Sequence, residues 1–130
     1  MNEKQLLGRI GEDAVAKQYA NMGFSVVARN VHISHNEIDI ILESDTHLVF
    51  VEVKTRHATP GSKSRFGRPA DAVTKNKRFR TVAAAQAYLR EHPTTLQPRI
   101  DVAEVYVTRR ADGTDEVTEV LIFTNAFGAR

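Results

Sequence analysis

The stretch LVFVEVKTR, residues 48–56, constrains this chain more than any other, because it pairs with EIDIILE (37–43) in one consistent hairpin register. With a tight turn centred between Asp45 and Thr46, Val49, Val51 and Val53 fall opposite Leu42, Ile40 and Ile38. One face is then wholly apolar, as the two-residue period of a strand packed on a core demands. On the other face Phe50 meets Ile41, Glu52 meets Asp39 and Lys54 meets Glu37.

Two carboxylates opposed across a strand pair repel and should weaken it. A face open to water would tolerate them, with Lys54 screening the acids. Phe50 and Ile41 share that face, however, which argues that part of it is covered. The sharper explanation is a divalent cation held by Asp39 and Glu52. Mg²⁺ takes oxygen ligands, typically one or two carboxylates, and completes its shell with water and substrate phosphate. Spacing alone leaves both explanations open.

Around the hairpin the pattern alternates between helical and strand periods. Residues 3–22 carry Leu6, Leu7, Ile10, Ala14, Tyr19 and Met22 at helical spacing, with Gly23 as a stop. Gly8 and Gly11 each weaken that helix by roughly 1 kcal/mol relative to alanine, which suggests backbone packed closely against a neighbour. Strands are expected at 24–31, 37–43, 48–56, 99–108 and 117–124. A second helix is expected over 70–91, with Val73, Phe79, Val82, Ala83, Gln86 and Leu89 near one side. The order is α-β-β-β-α-β-β, and the long helix between the third and fourth strands permits a parallel crossover in a mixed β-sheet flanked by helices. HATPGSKSRFGRP, from residue 57, reads as a mobile loop.

At 130 residues the chain is read as one domain, 1–130. The absence of cysteine excludes disulfide frameworks, thiolate zinc sites and cysteine nucleophiles. Neither a signal peptide nor a bilayer-length apolar run is apparent, so a cytoplasmic protein without a membrane partner is expected. Net charge is only +2, but nine of the eighteen basic residues lie between Lys54 and Arg80, against the single acid Asp71. A local excess of +8 attracts polyanions, with nucleic acid the usual candidate, although a solvated helix face is an equal reading of charge alone.

Asp39 with Glu52-Val53-Lys54, on a hairpin preceded by a helix bearing Glu12, resembles the PD-(D/E)xK nuclease superfamily and its restriction-endonuclease-like fold. The succession GRIGEDAVAKQY, NEIDIIL, LVFVEVKTR, AVTKNKRFR and RIDV is similar to the YraN-like family of predicted endonucleases, kin in fold to archaeal Holliday-junction resolvases. One departure is Asn36, where that family usually has glycine before Glu-Ile-Asp. Asn tolerates a left-handed backbone, so the turn should survive.

The resemblance implies a single nuclease-like domain and a Mg²⁺- or Mn²⁺-dependent endonuclease hydrolysing phosphodiester bonds in DNA, branched or single-stranded. The alternative is a non-catalytic nucleic-acid-binding module or adaptor retaining the fold. By resemblance, Asp39, Glu52, the Val53 carbonyl and Glu12 hold the metal, while Lys54 orients the attacking water or stabilises the phosphate. An exposed Glu12 paired with Arg9 is the competing expectation, and pairing with Glu37 is that for Lys54. Arg56, Arg65, Arg68, Lys75, Lys77, Arg78 and Arg80 are candidates to grip phosphates without reading bases. Asp101 is expected to form an ion pair with Arg99 or a helix arginine, and the five histidines have no assigned role. A homodimer would suit a branched substrate.

Overall fold

The computed structural model describes residues 1–58 and 75–126. Helix α1 (Glu3–Asn21) leads into β1 (Ser25–Ile33), β2 (Asn36–Glu43) and β3 (His47–His57). Helix α2 (Lys75–Glu91) follows, then β4 (Gln97–Arg109) and β5 (Asp115–Phe123). The strands form one sheet in the order β1-β2-β3-β4-β5, antiparallel except for the β3–β4 pair, which α2 connects in parallel. The expected mixed sheet flanked by helices is therefore the observed architecture. No described helix is long and apolar enough to cross a membrane.

Local signals explain the ends of the elements. Asn2 caps α1 by accepting from the Gln5 amide, while the Gln5 side chain accepts from the Asn2 amide. Gly23, at φ 91, then takes the left-handed conformation that ends the helix. The β2–β3 turn closes through the Ser44 amide, which donates to the His47 carbonyl at 2.9 Å, centring it between Asp45 and Thr46 as expected. The β1–β2 turn differs. Ser34 and His35 carry its positive φ values, 50 and 66, as the twist of a two-residue hairpin requires, and Asn36 is already in β2.

Each face of the sheet buries one helix. Val15 and Tyr19 of α1 pack on Ile40, Leu42, Val49, Val51 and Val105. Ala84, Ala85 and Tyr88 of α2 pack on Ile41, Leu48, Phe50 and Ile100. Central β3 is consequently buried on both sides from Leu48 to Glu52, which accounts for its near-continuous apolar run.

Helix faces were harder to foresee. On α2 the buried stripe is Thr81, Ala84, Ala85, Ala87 and Tyr88, whereas Phe79, expected inside, is 76% exposed and Ala83 and Gln86 also face water. On α1, Leu6 and Met22 are exposed at the ends. Gly11 does sit against β3, where an added methyl would overlap the Thr55 hydroxyl, but Gly8 has nothing within 4 Å. The close approach foreseen for both glycines belongs to Gly11 alone.

Candidate metal and nucleic-acid site

The β2–β3 ladder keeps the expected register from Glu43–Leu48 to Ile40–Val51 and then stops. β2 stays paired with β1 as far as Asn36, so it leaves β3 at Asp39. In place of a backbone carbonyl, the Asp39 Oδ2 accepts the Val53 amide proton at 2.8 Å. Two register expectations fail for this reason. Asp39 and Glu52 are neighbours across an opening rather than a ladder pair, and Ile38 packs on the α2 side with Ile41 and Phe50 instead of joining Ile40 and Leu42.

Glu52 is 4% exposed. A buried carboxylate needs a partner, and its Oε1 lies 3.1 Å from the Lys77 Nζ and 3.3 Å from the Lys54 Nζ. Lys54 thus turns to the acid on its own strand, not to Glu37 across the hairpin. Glu37 instead meets the His32 Nε2 at 3.2 Å. Among the described residues, no lysine or arginine pairs with Asp39. Burial first, and then the Glu52 charge, push the Asp39 carboxyl up to about 7, with Glu12 and Glu37 adding to the rise and the Val53 amide opposing it.

Glu12 reaches this region because Gly11 lets α1 lie directly on Thr55. It is half-buried and accepts from the Asn30 Nδ2 at 3.3 Å, not from Arg9. Burial raises its pKa, against the Asn30 bond and the Arg29 charge that lower it. The sequence pattern contained no sign of Asn30, whose φ of 49 turns it out of the β1 alternation.

Glu52 and Glu12 both act electrostatically on Asp39, yet no three His, Asp or Glu side chains among the described residues close into a ready ligand cluster. The oxygen donors seen at the opening are the Asp39 and Glu52 carboxylates, hard ligands of the kind Mg²⁺ or Mn²⁺ takes while filling its remaining positions with water.

The basic residues divide. Lys77 and Arg80 line a polar pocket of about 160 Å³ beside the opening, together with His35, Asn36, Glu37 and Thr81. Arg78 is exposed on the same turns, and the Arg56 Nη1 donates to the Thr55 carbonyl at 3.2 Å. Arg65, Arg68 and the Lys75 side chain lie outside the described residues, as does most of the expected loop.

Asp101 belongs to a separate, structural centre. It is fully buried and takes Arg99 in two 2.9 Å bonds, as expected. Sequence reasoning missed the remaining partners, the Tyr19 hydroxyl at 2.6 Å and the Asn125 amide at 2.9 Å. Tyr19 is 82 positions away in the chain, so no local pattern links the two.

Comparison with known proteins places the chain in a family. The model described as "Uncharacterised protein family UPF0102" matches residues 11–105. The chain belongs to the UPF0102 family. A UPF0102 protein of Phocaeicola vulgatus is 39% identical over 102 residues, covering 78% of this chain and 80% of that one. Another, of Chloroherpeton thalassium, is 31% identical over 130 residues, covering 98% and 97%. Among solved structures, Pyrococcus furiosus SfsA in complex with Ca²⁺ gives a TM-score of 0.49 at 13% identity. That alignment covers 91% of this chain and 64% of SfsA, so the chain spans just under two thirds of that protein's length. The UPF0102 match includes Glu12, Asp39, Glu52, Lys54, Lys77 and Arg80, and ends before β5.

Proposed function

We propose that this UPF0102 protein is a Mg²⁺- or Mn²⁺-dependent endonuclease that hydrolyses phosphodiester bonds in DNA. The observation that carries the reading is Asp39: its carboxylate stands where two strands part, beside the buried Glu52, with no cationic side chain of its own among the described residues. A divalent cation relieves such a repulsion, and water or a phosphate oxygen completes its shell.

Asp39 and Glu52 would hold the ion, with the Val53 carbonyl as a further oxygen and Glu12 as a nearby third acid. Bound there, the metal supplies Lewis acidity and a water of lowered pKa. Lys54, held 3.3 Å from Glu52, is placed to orient an attacking water or to stabilise charge growing on the phosphate. Lys77 and Arg80, beside the opening, position the backbone through phosphate contacts that carry no sequence information. Arg56 and Arg78 extend that cationic rim.

A second reading is favoured by one contact. Lys54 and Lys77 both neutralise Glu52, as they would in a binding module that never takes up a metal. It predicts salt-sensitive binding without products, because phosphate neutralisation releases counterions.

Branched, single-stranded and duplex DNA incubated with Mg²⁺ or Mn²⁺ decide between the two. Cleavage by wild type should fall by a factor of about 100 or more in Asp39→Ala, Glu52→Ala and Lys54→Ala. Cleavage undiminished in Asp39→Ala and Glu52→Ala sinks the mechanism, and binding without products under either metal supports the module. Light scattering with and without branched DNA tests the homodimer.

A further inference from the structure

Phe79 is the most exposed large apolar residue among the described residues, at 76%, against 67% for the terminal Met1, 41% for Val26 and 42% for Val27. A buried phenylalanine contributes roughly 1.5–3 kcal/mol, so a ring left in water in the second turn of a regular helix forgoes that stabilisation. It does not stand alone. Arg78 and Arg80 flank it and are exposed. Lys77, two residues before it, reaches the Glu52 carboxylate at 3.1 Å. Helix α2 has no acid in its first turn, and its single acidic residue is the terminal Glu91.

We propose that Phe79 is a stacking platform for an unpaired nucleobase, seated while the neighbouring arginines hold the phosphates on either side. The inference rests on the nucleic-acid reading above for the class of ligand and adds the form of substrate: a strand with at least one base free of its partner. The helix geometry supports it. At 100° per residue, Phe79 lies about 200° around the helix from Lys77, so one side of α2 addresses the Glu52 carboxylate and the other presents the ring. The separation is about one helix diameter, ~10 Å, which puts the stacked base a few nucleotides from a phosphate at the Asp39–Glu52 opening. An apolar ring set among cations matches a polyanion whose bases have apolar faces, and aromatic stacking is tolerant of sequence because every base offers a π-face. A paired duplex hides those faces, so the ring discriminates by strandedness rather than by sequence.

The chain has no tryptophan, so Phe79→Trp creates a single fluorescent reporter at this position. The probes are an oligothymidine 12-mer and a blunt duplex of matched charge, with EDTA present so that binding is read without cleavage. Wild type should bind the 12-mer, and Phe79→Ala should bind it about tenfold or more weakly while its duplex affinity stays within twofold. Phe79→Trp should retain affinity, and its emission should be quenched by the 12-mer but not by the duplex. Equal affinity of wild type and Phe79→Ala for the 12-mer, or emission unmoved by it, overturns the stacking role and leaves the nuclease reading standing. Wild type that binds neither probe, in EDTA or with Mg²⁺ restored, overturns both. A concentration-dependent dimer abolished by Phe79→Ala overturns the stacking role in favour of a contact between two copies.

Discussion

Asp39→Asn should make this protein more stable and less active at the same time. The unfolded chain releases the Asp39 proton near 3.8 and the folded chain near 7. Between those values the folded state binds more protons, so stability is full below about pH 4 and falls as pH rises through 7. At about 1.4 kcal/mol per pH unit, the ionised carboxyl weighs roughly 4 kcal/mol against the fold. Relaxation of side chains and water around the charge returns part of this, leaving about 2 kcal/mol. Asn removes the charge while its Oδ1 can still accept the Val53 amide proton, which Asp39 takes at 2.8 Å. Urea midpoints in EDTA should therefore be higher for Asp39→Asn at pH 8 and nearly equal to wild type at pH 4.5. A gap that is absent at pH 8, or unchanged between the two pH values, refutes the electrostatic argument. Adding 10 mM Mg²⁺ at pH 8 should stabilise wild type by mass action and leave Asp39→Asn unmoved. A wild type unmoved as well refutes the metal and spares the electrostatics.

Gly11→Ala should cost about 1–3 kcal/mol, because its methyl overlaps the Thr55 hydroxyl; Thr55→Ala in the same chain should restore part of that in a thermal melt. Gly8→Ala, with open space around it, should stabilise by roughly 1 kcal/mol; destabilisation there would show that α1 packs differently from this description. Tyr19→Phe removes a donor from the buried Asp101 and should cost about 1–3 kcal/mol in urea with Mg²⁺ affinity unchanged. A lost Mg²⁺ affinity would tie Asp101 to the opening after all.

The strands were legible because their alternation is a property of the chain itself. Valines and isoleucines two apart specify which residues share a face and which oppose each other, so the turn at Asp45–Thr46 and the pairs Ile40–Val51 and Leu42–Val49 follow from spacing. The same spacing failed one residue later, since Asp39 takes the Val53 amide with its side chain and ends the ladder. Nothing in an alternating pattern marks where a carboxylate replaces a carbonyl.

Helix faces were less legible. On α2 the residues Phe79, Val82 and Leu89 compete with an alanine stripe for the sheet. Phe50, Ile41 and Ile100 already fill the β side, so small residues let the helix come close and the phenylalanine is turned out. Gly11 hinted that α1 touches something, but only the sheet says that it is Thr55, and that Glu12 consequently reaches Asn30.

The sequence by itself determined the order of elements and the hairpin register as far as Ile40–Val51, because these depend on short-range periodicity. The tertiary structure alone decided that Lys77 neutralises Glu52, that Tyr19 and Arg99 share Asp101, and that Phe79 faces water. Those outcomes depend on which surfaces compete for the same space, and that competition exists only once distant segments are packed together.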